Sequence, residues 1–153
     1  MSCVLHVSSS DTDLAPFIAK SRLPIYQSHR RGEMPTIGRK KSAHEDFGFK
    51  CDVSDREFSD LPGQIADALL FIQRHEAELR ELRAEYKIDD LRLDFPHWLR
   101  IGEATITQSD YLPPSLLSIA GDLGIGIELS LYTRSEDEPK PLGPTPTSRG
   151  GSS

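Results

Sequence analysis

The sequence predicts an α+β domain, with a mostly antiparallel sheet carrying about three helices on one face. Three observations predict it. Several short segments alternate apolar and polar residues, as strands buried on one side do. Longer segments carry apolar residues at helical spacing. The two kinds of segment interleave along the chain and are bounded by proline and glycine.

Residues 3–8, Cys-Val-Leu-His-Val-Ser, read as a strand. Ser10 and Asp11 then offer N-caps for a helix bearing Leu14, Phe17 and Ile18, which Pro24 stops. Leu23, Ile25 and Tyr26 suggest a second short strand. From Gln27 to Asp46 the period disappears, and Gly32, Pro35 and Gly38 mark a long loop. Loops of this length in small domains tend to be functional or disordered. Phe47 to Val53 alternates again and reads as a strand.

The longest element follows. Asp60 is placed to cap a helix and Pro62 suits its first turn, where a missing N–H costs nothing. Ile65, Leu69, Ile72, Leu79, Leu82 and Tyr86 give that helix one apolar face. Asp90 to Phe95 alternates cleanly, and Pro96 is expected to end that strand or mark a bulge. Ala104 to Thr107 reads as a further strand. Pro113 and Pro114 open a helix with Leu116, Leu117, Ile119, Ala120 and Leu123, and Gly124 closes it. Ile125, Ile127, Leu129 and Leu131 then form a strand expected at the centre of the sheet, because one face is wholly aliphatic. The β-α-β units at the two ends hint at ferredoxin-like halves. Residues 1–133 make the single domain. Residues 134–153, rich in Pro, Ser and Gly, read as a disordered tail, since they offer too little apolar surface to offset their ordering entropy.

Composition narrows the function classes. A formal net charge of −6 disfavours general nucleic-acid and membrane binding and suits association with a basic partner. The two cysteines, Cys3 and Cys51, sit in apolar stretches and read as buried free thiols. No signal peptide or membrane span is evident, which makes the cytoplasm the expected compartment.

Catalytic motifs are absent. None of the five histidines pairs with another at i,i+4 on a helix, and there is no Cys-x-x-Cys, so no metal or cofactor is expected. His44-Glu45-Asp46 is a compact polar trio that would need partners from elsewhere in the chain. Gly38 and Arg39-Lys40-Lys41-Ser42 lack the spacing of a phosphate loop. Asp11 and Asp60 read as caps rather than catalytic carboxylates. One charged feature has shape: Arg30, Arg31, Arg39, Lys40 and Lys41 lie close together, opposed only by Glu33. With Trp98, the sole tryptophan, they are the candidate partner-contact residues, because Trp and Arg are enriched in interface hot spots.

The segment from Leu93-Asp94-Phe95 through Pro113-Pro114-Ser115-Leu116-Leu117 to Leu123-Gly124-Ile125-Gly126-Ile127-Glu128-Leu129-Ser130-Leu131-Tyr132 resembles small uncharacterised bacterial domains, some of immunity or antitoxin type. The resemblance implies a bacterial α+β domain that acts by binding a protein, and it transfers no active-site residue. The expected function is therefore a non-catalytic protein-binding module, with an immunity-type inhibitor as its specific form. The alternatives are a small enzyme or ligand-binding domain with a cleft under the 27–46 loop, and an RNA-binding module. The expected partner is a protein, and homodimerisation is left open.

Overall fold

The computed structural model describes residues 1–36, 38 and 42–134. Along the chain these form β1 (Val4–Ser9), α1 (Ala15–Lys20), β2 (Ile25–His29), β3 (Phe47–Asp52), α2 (Leu61–Glu85), β4 (Asp90–Trp98), α3 (Pro114–Asp122) and β5 (Gly126–Tyr132). The strands make one sheet in the order β2-β3-β1-β4-β5. β1 pairs antiparallel with both β3 and β4, β2 pairs antiparallel with β3, and only β4 and β5 run parallel. The expected α+β class holds.

The first four strands with α1 and α2 have the ferredoxin-like β-α-β-β-α-β order. Their halves are β1-α1-β2 and β3-α2-β4. The closing β4-α3-β5 unit, which the sequence suggests as one of the halves, is instead an addition at the β4 edge.

Alternation decides which face is covered. Leu5 and Val7 of β1, Phe49 and Cys51 of β3, and Leu91, Leu93 and Phe95 of β4 are buried beneath the helices. His6, Lys50 and Arg92, which lie side by side in the register, are only partly buried on the open face. α2 supplies much of the helical layer. The Asp60 carboxylate accepts from the Gly63 N–H at 2.9 Å, Pro62 sits in the first turn, and Ile65, Ala68, Ile72, Leu79 and Leu82 face the sheet. The fully buried Gln64 side chain donates to the Pro96 carbonyl at 2.9 Å, which fastens the start of α2 to β4. Gly124 follows α3 at φ +66, a conformation that disfavours any residue with a Cβ.

Several expectations are corrected. β4 does not stop at Pro96 but continues to Trp98. Its β1 flank is paired only as far as Asp94, and beyond that the Trp98 N–H reaches Phe58 rather than a strand. Pro96 shares that orientation, so its missing N–H interrupts no ladder. Residues 104–107 form no strand; a lone bridge joins Gly102 to Thr105, and Ile106 is 89% exposed. Asp11 caps no helix, because α1 begins later, where Asp13 accepts from the Ala15 N–H at 2.9 Å. β2 runs to His29, so the connection to β3 is 30–46 rather than 27–46. β5 is an edge strand, not a central one, with Leu129 40% and Leu131 54% exposed. The segment read as a disordered tail lies outside the described residues from 135 onward.

Among the described residues no helix is long and apolar enough to cross a membrane. One polar group is placed at a cost. Asp52, on the open face, has a carboxylate oxygen that is buried without a hydrogen-bond partner. Burial, then the nearby charge of Asp55, raises its pKa above the ordinary carboxylate value. A carboxylate raised in the folded state costs stability above that value and costs nothing when protonated in both states. Asp52→Asn is therefore expected to be more stable than the wild type at pH 7, with the difference vanishing below about pH 4. Urea melts at the two pH values check this.

Candidate functional site

Antiparallel register places His29 of β2, Gly48 of β3, Ser8 of β1 and Asp90 of β4 in one row across the open face. A second row holds His6, Lys50 and Arg92. Together with His44 and Asp46, which return from the long segment, these rows line a cleft of about 410 Å³.

The end of the cleft near β2 is held by backbone pairing beyond the β2-β3 hairpin. The Gly32 N–H donates to the His44 carbonyl at 2.8 Å, and the His44 N–H donates to the Glu33 carbonyl at 2.9 Å. This zipper sets His44 and Asp46 over His29. The His29 and His44 rings stack at 4.0 Å between centroids, and His29 Nε2 lies 2.8 Å from Asp46 Oδ1. Gly48 leaves room for this arrangement, since a Cβ there would meet His29 Cε1 at 2.6 Å and the Val7 carbonyl at 2.9 Å. One donor atom from each of His29, His44 and Asp46 falls within 4.8 Å of the others, and each residue is partly buried. Among the described residues this is the one such group of metal-ligating side chains.

The rest of the cleft is charged and internally paired. Arg92 bridges Asp90 and Glu128. Burial, then the positive charges of Lys50 and Arg92, holds the His6 imidazole below its ordinary pKa, so that it is neutral at pH 7. Lys50 forms no ion pair among the described residues.

Of the residues selected from the sequence, Arg30 pairs with Asp13, and Arg31 donates to the Glu45 carbonyl at 3.0 Å while lying over the Phe47 ring. Both pin the base of the long segment to the domain. Arg39, Lys40 and Lys41 lie outside the described residues. Trp98 sits at the far end of β4 and packs on Phe58, which also meets Tyr132, with Arg134 above the indole. The arginines and the tryptophan are thus at different ends of the sheet and form no common site.

Two features escaped the sequence. His29 sits seventeen positions from Asp46 and joins it only through the hairpin register. His97, 1% exposed, lies between the Phe95 carbonyl at 3.2 Å and Asp110 at 3.1 Å, and Asp110 also takes Arg100 at 2.6 Å. Burial works to raise the Asp110 pKa, but hydrogen bonds from Arg100, Gln108 and His97 outweigh it and hold the carboxyl below its ordinary value. That cluster ties the 99–113 connection to the core.

Cys3 and Cys51 are both free and buried. Burial raises both thiols, Cys51 to about 12, which leaves little of the nucleophilic thiolate at neutral pH. No family model, curated protein or solved structure matches this chain.

Proposed function

We propose that this domain is a non-catalytic protein-binding module that takes an extended segment of its partner onto the outer edge of β5. The observation that carries the reading is the exposed aliphatic edge. Among the described residues β5 has a neighbour on one side only, and Leu129, Leu131 and Tyr132 are 40%, 54% and 48% exposed. Edge strands are ordinarily guarded by lysine, proline or a bulge against strand addition. β5 has none of these, and its one charge, Glu128, is turned back onto Arg92. The opposite edge, β2, is guarded by a register irregularity between Ile25 and Gln27. Strand addition uses backbone hydrogen bonds for affinity and alternate side chains for specificity. The net charge of −6 favours a basic partner. An immunity-type inhibitor of a bacterial toxin is the specific form this reading takes.

The test uses the full chain and a Leu129→Lys/Leu131→Lys variant as paired baits. Exposed positions of this kind usually change stability by about 0.5 kcal/mol each, so the two proteins should melt within a few degrees of one another. The wild type is expected to retain a stoichiometric, nuclease-resistant protein that the variant loses. Equal capture by both would remove β5 from the interface. A homodimer seen by light scattering in the wild type alone would identify the partner as a second copy.

A second reading, a ligand-binding domain, is favoured by the cleft in which His29, His44 and Asp46 converge.

A further inference from the structure

We propose that His29, His44 and Asp46 form a binding site for one divalent first-row transition ion of the zinc type. The proposal is independent of strand addition at β5, which lies at the other edge of the sheet.

The donor set comes first. Two imidazoles and one carboxylate suit zinc and its neighbours, while a site for magnesium or calcium would be built from oxygen alone. Geometry is next. Bonds of 2.0–2.2 Å in a tetrahedral site separate the donor atoms by about 3.3 Å. Here Nε2 of His29 and Oδ1 of Asp46 are 2.8 Å apart, and all three donors fall within 4.8 Å. Coordination therefore asks for small side-chain turns, which separate the two stacked rings, and for no backbone rearrangement. The supports are fixed elements. His29 ends β2, and His44 is held by its two backbone hydrogen bonds to Gly32 and Glu33.

Gly48 is the third argument. It provides the floor on which the His29 ring lies, and any side chain there would fill the place of the ring. Three protein ligands leave a fourth position, and the cleft on the side of His6 and Lys50 is where an external ligand or water would complete the shell. A structural zinc site would close all four positions with protein groups, whereas this one is of the open kind. The ion would also join the two ends of the segment between β2 and β3.

The experiment is a titration of the chelator-stripped full chain with Zn²⁺ by calorimetry, and with Co²⁺ by visible absorption. The expected result is one saturable site, a ligand-field band in which nitrogen and oxygen donors replace water, and a rise in Tm with added metal. His29→Ala and His44→Ala should each weaken binding by more than roughly 100-fold, because removing a ligand exceeds the 10–100-fold loss from removing an outer partner. His75→Ala, on the middle of α2, should bind as the wild type does. Absence of saturable binding up to roughly 1 mM metal would overturn the proposal. So would equal binding by the wild type and the two ligand variants, which would place the metal elsewhere. His44 is not a core residue, so His44→Ala keeps the test valid if His29→Ala fails to fold.

Discussion

Phe95→Ala is expected to lower the unfolding free energy by about 3–5 kcal/mol. Phe95 is completely buried on the helix-facing side of β4 and ranks among the largest fully buried side chains. Its strand is held in place on both flanks. β1 pairs with β4 up to Asp94, and β5 pairs with it from Arg92 to Trp98. Above it the start of α2 is fastened to the next residue by Gln64. Walls that cannot move leave the cavity open, which puts the cost at the upper part of the range. At this chain length each kcal/mol shifts Tm by roughly 2–4 °C, so a fall of about 6–20 °C is expected. Urea denaturation should show a lower midpoint with an unchanged slope. A loss under about 1 kcal/mol would mean that α2 settles into the space.

Gly48→Ala is expected to destabilise the domain by about 1–3 kcal/mol and to abolish the His29-Asp46 contact. Ordinarily alanine gains over glycine in a strand, by roughly 0.5–1 kcal/mol. Here the added carbon meets an imidazole at 2.6 Å and a backbone oxygen of the central strand at 2.9 Å. The ring can rotate away, but the oxygen is fixed in the sheet. The stability cost and the loss of the histidine pair should therefore arrive together. Measurement of Tm with and without Zn²⁺ separates them: the variant should start lower and fail to rise. A variant as stable as the wild type, with its His29 resonances unchanged, would show that the strand yields at no cost.

Local pattern made most of the sheet legible. Phe47 to Val53 and Asp90 to Phe95 alternate because each has one face in the core, and that face is what the chain encodes. Asp60 and Pro62 announce α2 because a helix start needs a side-chain acceptor and tolerates a residue without N–H. Neighbour relations were not legible. Ile127, Leu129 and Leu131 have the chemistry of a central strand, yet their strand lies at the edge of the sheet and leaves Leu129 and Leu131 exposed. Thr105 and Ile106 alternate with their neighbours but find no strand to pair with. The candidate site was half legible. His44 and Asp46 stand out as a polar trio with Glu45, but His29 belongs with them only through a register that depends on His29 facing Gly48. Arg30 and Arg31 were visible as charge, while their partners Asp13 and the Glu45 carbonyl were not.

The central place of β1 also sets a timetable for synthesis. Both of its neighbours, β3 and β4, are made after it, and the later of them ends at Trp98. At about 5–20 residues per second the ribosome needs roughly 5–20 s to deliver those residues. Through that interval the apolar residues Cys3, Leu5 and Val7 have no completed sheet to enter. The nascent chain is thus open to chaperones, and to pairing with neighbouring chains, along β1 until β4 is made.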